Sequence, residues 1–350
     1  MPPTQQKALF LQAKQGAFAL GTRPVPSPKA GELLVRVEGV GLSPLDWKIQ
    51  KTGFYYTGTY PAVLGTDVSG TVEEVGEGVT GFAKGDKVFS SVEYAHDNAA
   101  YQQYALVTAA VAAKVPSNLS LDEAATLAAG IATAALALYD TPNTTAPGGA
   151  GFTPPWDGGR GKYAGKPILV LGGASSVGQY VIQFAKLSGF SPIITTASSS
   201  SERLVKSFGA THVLDRNLSP ADLNSAVSAL VASPFELVYD AISLPDTQEI
   251  AYEHLAPGGT LILTLPSTLQ IDETKKQLVF QVYWSPHAPS HRKVAEQLFA
   301  ALPELLLSGD IKPNPVKVLP NGLEGIPEGL KELERGVSGV KLVARPKETA

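Results

Sequence analysis

Pro167-Ile168-Leu169-Val170-Leu171-Gly172-Gly173-Ala174-Ser175-Ser176-Val177-Gly178 is the stretch on which the fold turns. Ile168 to Leu171 is an apolar run of strand length, and residues 177–188 carry helical patterning. Glycines between a strand and a helix permit a tight turn and close approach of the backbone. The helix N-terminus beyond them attracts an anionic pyrophosphate. Against the dinucleotide fingerprint G-x-G-x-x-G, Gly173 and Gly178 take the first and third places and Ser175 stands at the second. Ser176 and Val177 complete the candidate phosphate loop. A plain strand-to-helix turn is the rival reading. A nucleophile elbow needs G-x-S-x-G, and residue 177 is Val.

Strands and helices alternate outward from this loop. Strands are expected at 167–171, 192–196, 211–214, 237–241, 260–265 and 278–284, with helices at 177–188, 202–208 and 223–231. That alternation implies a doubly wound parallel sheet. A second strand ending in Asp or Glu would grip the ribose 2′-hydroxyl of NAD. Here it runs into Thr195-Thr196-Ala197-Ser198-Ser199-Ser200-Ser201, with no acid before Glu202. Ser198, Ser199 and Ser201 can donate hydrogen bonds to a 2′-phosphate, and Arg203, Lys206 and Arg216 can supply charge. The expected cofactor is therefore NADPH, the rival reading of the serines being a solvated loop.

The first 120 residues read differently. Strands are expected at 7–12, 32–40, 68–75 and 101–108, with another fed by the turn at 85–89, separated by Pro- and Gly-rich turns, which suggests a barrel-like β domain. Ser120 followed by Glu123 is a capping-box signature that opens an alanine-rich helix to about Tyr139. Residues 142–167 hold five Pro and seven Gly and read as a long loop, functional or simply a mobile insertion. Past residue 290 a helix, a strand, a helix and a final strand (341–344) are expected.

Composition bounds the function. A chain of 350 residues fits two domains, and 44% hydrophobic with 17% charged residues is globular. A net charge of −4 gives no reason to expect nucleic acid or an anionic membrane as partner. No apolar run is expected to span a bilayer, and the N-terminus lacks an apolar signal core, so a cytoplasmic protein is expected. With no cysteine, disulfides, thiolate nucleophiles and Cys-built zinc sites are excluded. The five histidines read as surface or loop residues; His287 and His291 lie four apart without the Glu of a zinc-protease motif.

Gly65-Thr66-Asp67-Val68-Ser69-Gly70-Thr71-Val72, followed by Gly85-Asp86-Lys87-Val88, together with the phosphate loop, resembles the medium-chain dehydrogenase/reductase superfamily. The resemblance covers nearly the whole chain. It implies a GroES-like β-barrel catalytic domain (1–125), a Rossmann NADP-binding domain (126–289, with the insertion at 142–167), and a return to the catalytic domain (290–350). Zinc members carry Gly-His-Glu at Gly65-Thr66-Asp67 and a ligand Cys within Gly41-Leu42-Ser43-Pro44. A catalytic zinc needs three protein ligands, so this chain resembles the zinc-independent branch. Those members reduce activated C=C bonds or quinones. Ser43-Pro44-Leu45-Asp46-Trp47-Lys48 resembles the Asn-Pro-x-Asp-x-Lys phrase of fungal trans-acting enoyl reductases, with Ser43 in place of Asn. Gly130-Ile131-Ala132-Thr133-Ala134-Ala135 resembles their second active-site phrase.

By that resemblance Pro44, Lys48 and Thr133 line the nicotinamide and substrate cleft, and Gly339 and Lys341 touch the cofactor. The expected reaction is NADPH-dependent reduction of an α,β-unsaturated ketone, aldehyde or thioester. Lys48 serves as donor to the ribose or enolate, and Tyr55 or Tyr56 as proton donor. Asp46 is expected to cap the turn or helix that follows it. The bland readings are a surface lysine, an aromatic loop, and solvent as proton source. An NADPH:quinone oxidoreductase and a non-catalytic NADPH sensor are the alternatives. A carrier-bound substrate would bring a synthase partner. Monomer and homodimer both remain open, the strand at 278–284 being a candidate dimer edge.

Overall fold

The computed structural model describes residues 2–142, 148–282 and 285–350. The chain divides into two compact units: residues 1–129, 299–309 and 313–350 form the first, and 130–298 with 310–312 the second.

In the first unit, β1 (Gln5–Leu11) pairs antiparallel with β2 (Phe18–Pro24) on one side and β4 (Ala62–Val63) on the other. A seven-stranded sheet holds β3 (Glu32–Gly41), β5 (Asp67–Val75), β6 (Lys87–Ser91), β7 (Tyr104–Thr108) and β8 (Ala112–Lys114). It is completed by the chain's last strands, β15 (Val316–Val318) and β16 (Lys341–Ala344), in the order β15-β16-β3-β5-β6-β8 with β7 beside β3. Buried Leu33, Val35, Val37, Val68, Val72 and Val88 fill the core on alternating strand positions. Each such side chain contributes roughly 1.5–3 kcal/mol on burial. Helix α1 (Pro44–Thr52) leads out of β3, and α9 (Ile326–Arg335) packs on the same unit. This is the GroES-like half of the expected mixed α/β fold.

The second unit is built on β9 (Ile168–Leu171), β10 (Ile193–Ala197), β11 (His212–Asp215), β12 (Phe235–Asp240), β13 (Leu255–Leu263) and β14 (Leu278–Gln281). All its pairings are parallel, in the order β11-β10-β9-β12-β13-β14, which is the doubly wound Rossmann order. The chain order reverses between β9 and β12, and ligands of such sheets sit outside the carboxyl ends of the strands at that switch point. Helices α4 (Ser176–Ser188), α5 (Glu202–Phe208), α6 (Pro220–Leu230) and α7 (Pro245–Glu253) are the crossovers.

Several expectations need correction. The alanine-rich helix is broken into α2 (Leu121–Ala124) and α3 (Ala128–Tyr139), although the Ser120–Glu123 capping box forms as read. Leu121–Tyr139 is long and apolar enough to cross a membrane by length and composition, contrary to the sequence reading. Its most apolar window is 83% buried within the protein, as in a core helix. β2 and α7 were not expected, and α1 is the helix alternative of the turn or helix expected at Asp46. The described part of the insertion is packed rather than loose: Phe152 meets Tyr163 and Phe190 edge-on, and Tyr163 stacks on Phe190. β14 ends at Gln281, and residues 283–284 of the candidate dimer edge lie outside the described residues, as do 143–147. His291 is no surface residue. It is 3% exposed and pairs with buried Asp140, at the end of α3, from just before α8 (Arg292–Leu307).

Candidate active site

The phosphate loop forms as read, and each glycine has a packing reason. Gly172 adopts φ +78°, and a Cβ there would lie 2.4 Å from Ile242 Cγ1. A Cβ on Gly173 would lie 2.1 Å from Thr195 Oγ1, and one on Gly178 2.3 Å from the Gly172 carbonyl oxygen. Only glycines let helix α4 start this close to β9. Ser175, at the fingerprint's second position, is the N-cap: its hydroxyl accepts the Gly178 N–H at 3.0 Å. The N-terminus of α4 carries the positive end of the helix dipole. Such a cradle fits a dinucleotide pyrophosphate. The second phrase is brought to the same place. Gly130 lets α3 lie against the start of α4, where a Cβ would meet Tyr180 at 2.7 Å and Ser176 Oγ at 3.1 Å. Thr133 follows one turn later, 4% exposed, with its carbonyl accepting the Tyr239 hydroxyl at 3.2 Å.

The serine run follows β10. The Ser198 hydroxyl lies 3.0 Å from that of Ser200 and donates to that of Ser201 at 3.1 Å; Ser199 is exposed. Arg216 is held beside them, because its N–H donates to the Ala197 carbonyl at 3.0 Å, and its side chain is exposed. Arg203 is exposed on α5, whereas Lys206 is paired along that helix with Glu202 at 2.6 Å. An acid missed by the strand-end reading, Asp215, ends the neighbouring strand opposite Ala197.

In the first unit, Ser43 and Pro44 open α1. Ser43 is the N-cap, and the Ser43 N–H donates to Asp46 Oδ2 at 2.8 Å, closing a capping box. Asp46 thus caps the helix it belongs to, from its third position. It is fully buried, and the Tyr94 hydroxyl donates to its other oxygen at 3.0 Å. Burial pushes Asp46 up to about 6, against the pull of the Ser43 N–H, Tyr101, Tyr94 and Lys341. Burial, followed by the Asp46 charge, raises both tyrosines well above the usual range. This polar pocket escaped the sequence reading, since Tyr94 and Tyr101 carry no motif. Lys48 is partly buried on the same helix, its ammonium 5.7 Å from the Trp47 ring centroid, and desolvation lowers its pKa.

The two candidate tyrosines separate. Tyr56 folds back: its hydroxyl donates to the Thr59 carbonyl at 3.0 Å, its ring packs edge-on to Tyr60, and burial raises its pKa. Tyr55 has φ +68° and is 51% exposed beside Phe54. Gly339, at φ +76°, leads into β16, where the buried Lys341 ammonium pairs with Asp67 at 2.8 Å. The other Asp67 oxygen accepts the Ala129 N–H at 2.6 Å. A Cβ on Gly41 would lie 2.2 Å from the Ala125 carbonyl oxygen and 3.0 Å from both Asp67 Cβ and Lys341 Cε, so the glycine admits the backbone at Ala125 beside this ion pair. In the two segments where zinc relatives carry ligands, Ser43 caps α1, residue 66 is Thr, and Asp67 is paired with Lys341 and accepts the Ala129 N–H. Among the described residues no group of three or more His, Cys, Asp or Glu is placed to hold a metal.

Residues 29–117 match the family described as Alcohol dehydrogenase GroES-like domain, and residues 176–270 the family described as Zinc-binding dehydrogenase. A trans-enoyl reductase of Aspergillus japonicus is 34% identical over 349 residues, covering 97% of this chain and 96% of that protein. The enoyl reductase component of the lovastatin nonaketide synthase of Aspergillus terreus is 28% identical, covering 99% of this chain and 97% of that one. Among solved structures, a mycobacterial quinone oxidoreductase matches with a TM-score of 0.74 at 25% identity, over 97% of this chain and 100% of that one. With such identity sustained across nearly its whole length, the chain belongs to the family of the fungal trans-enoyl reductases, within the medium-chain dehydrogenase/reductase superfamily, and is an oxidoreductase.

Proposed function

We propose that the protein is a zinc-independent, NADPH-dependent reductase of activated C=C bonds in α,β-unsaturated ketones, aldehydes or thioesters. The observation that carries the cofactor reading is the acid-free serine terminus of β10 beside the exposed Arg216, next to a glycine-built phosphate loop. The reaction reading is supported by the enoyl-reductase relatives and by the ill fit of the zinc-ligand positions. NADPH, when bound, supplies the hydride.

The residues of this chain do the rest. The first-turn N–H groups at Ser176 and Val177 hold the pyrophosphate, and Ser198, Ser199, Ser201, Arg203 and Arg216 recognise the 2′-phosphate. Pro44, Thr133, Gly339 and Lys341 belong to the cofactor and substrate surroundings by family resemblance, Lys341 with its charge already balanced by Asp67. Lys48 stabilises the negative charge that builds on the carbonyl oxygen as the β-carbon is reduced. Tyr55 donates the proton to the α-carbon; Tyr56 is the weaker candidate because its own proton is engaged by Thr59. A synthase partner follows if the substrate is a carrier-bound thioester, as the relative named as a synthase component suggests. A cytoplasmic location accords with this reading.

A second reading, quinone reduction, is favoured by the mycobacterial neighbour. One assay separates the two: NADPH consumption, with NADH in parallel, across enones, enals, quinones and acyl thioesters. Turnover confined to quinones sinks the C=C reading, and a preference for NADH sinks the cofactor assignment.

A further inference from the structure

The carboxyl ends of β12 and β13 are knitted together by a polar cluster that the reading above leaves unused. Asp240, the last residue of β12, is 0% exposed. Its Oδ1 accepts the N–H groups of Ile242 and Ser243 at 2.9 and 2.8 Å, and its Oδ2 accepts the Thr247 hydroxyl at 2.7 Å. Ser243 sits at φ +56°, a left-handed conformation that L-residues seldom adopt unless their surroundings hold them there. Its hydroxyl donates to the Asp240 carbonyl at 2.7 Å and accepts the Thr264 N–H, just past β13, at 2.8 Å. The Gln248 amide completes the tie. It donates to the carbonyls of Ser243 and Pro266 at 2.9 and 3.0 Å and accepts the Thr268 N–H at 2.8 Å.

The placement gives this cluster its meaning. The Ala241 N–H donates to the Leu171 carbonyl at 3.0 Å, so the turn begins directly beside the end of β9. Ile242 then lies against Gly172, where even a methyl group would collide with it. The turn therefore borders the phosphate loop at the switch point between β9 and β12, with Ile242 partly exposed.

We infer that Asp240, Ser243 and Gln248 form one clamp on the rim of the dinucleotide crevice, and that Asp240 is a positioning residue for the cofactor, acting through Ile242. This rests on the proposal that a dinucleotide binds at the phosphate loop. An uncharged carboxamide can do the same work. Its oxygen accepts the Ile242 and Ser243 N–H groups, and its NH2 donates to the Thr247 hydroxyl, whose proton then turns to the Leu244 carbonyl, 3.0 Å away. A methyl group cannot.

The test is fluorescence titration of the full-length protein with NADPH, alongside steady-state kinetics and thermal unfolding. Asp240→Ala is expected to weaken NADPH binding roughly tenfold or more and to raise its KM, with kcat at saturating NADPH and the KM of the second substrate nearly unchanged. Asp240→Asn is expected to restore binding to within about threefold. Ile242→Ala should reproduce the weakened binding without the loss of thermal stability. If Asp240→Ala does not fold, Ser243→Ala and Thr247→Val each remove one tie and should each weaken NADPH binding. Unchanged NADPH affinity in the folded variants overturns the clamp, as does equal loss in the Ala and Asn variants. Failure of the unsubstituted protein to bind NADPH overturns the cofactor reading itself and the clamp with it.

Discussion

Asp46→Asn probes the polar pocket of the first unit through its pH dependence. The carboxyl is fully buried, and its pKa rises from an ordinary 3.8 to about 6 because desolvation outweighs the donors around it. The folded protein therefore binds this proton more tightly than the unfolded chain. The stabilisation from protonation is fully present below about 3.8 and is lost as pH rises through about 6. The interval from 3.8 to about 6 corresponds to about 3 kcal/mol. Asparagine keeps the shape and an acceptor for the Ser43 N–H or the Tyr94 hydroxyl, but cannot titrate. Unfolding free energies of both proteins, from urea titrations at fixed ionic strength, should therefore be subtracted at each pH. Most of the ~3 kcal/mol should appear as a fall in the difference, unsubstituted minus variant, between about pH 4 and about pH 7. Other acids cancel in the subtraction. A flat difference would mean that the pocket's donors offset desolvation fully. A difference that grows with pH would mean that they win, and either result refutes the reasoning.

Tyr55→Phe should slow turnover with an enone on the order of a hundredfold, the usual scale for losing a general acid, whereas Tyr56→Phe should change it little. Equal, full activity in both would assign the proton to solvent. Lys48→Ala should cut kcat; unchanged kcat and KM would remove Lys48 from the site. Because burial lowers the Lys48 pKa, its ammonium form, and the activity that depends on it, should decline at lower pH than an ordinary lysine with pKa 10.5 would allow. Ser198→Asp places a carboxylate where the 2′-phosphate is proposed to lie. It should raise the KM for NADPH at least about tenfold while sparing NADH, a ratio measured in parallel assays. Lys341→Met strands the buried Asp67 charge and should cost about 3–5 kcal/mol in urea unfolding, much of it recovered when Asp67→Leu is added.

What could be read in advance was what local patterning fixes. The phosphate loop, the Ser120–Glu123 capping box and the final strand at Lys341 all rest on residues adjacent in sequence. Turn and helix stay open at Asp46 in the sequence because Pro44, two lysines and a glutamine dilute the apolar stripe of α1; its start is fixed by Ser43 and Asp46 acting together. α7 was hidden by Pro245, which sits in its first turn, where a missing N–H costs nothing. Tertiary pairings left no trace in the pattern. Asp140 with His291, Asp67 with Lys341 and Asp46 with Tyr94 join residues far apart in sequence, and nothing local marks these acids as buried. The site separates along the same line. The dinucleotide end is a backbone device, made of glycines and helix N–H groups, and backbone devices leave fingerprints. The proposed substrate end depends on side chains whose protonation is set by burial. Asp46 and Lys48, two residues apart on one helix, are pushed in opposite directions, the acid up and the amine down, by one cause, the loss of water around them. Burial thus moves both groups toward their neutral forms, so the ionised Lys48 that the proposed enolate stabilisation requires is disfavoured by desolvation and is the state most exposed to any change in the packing of α1.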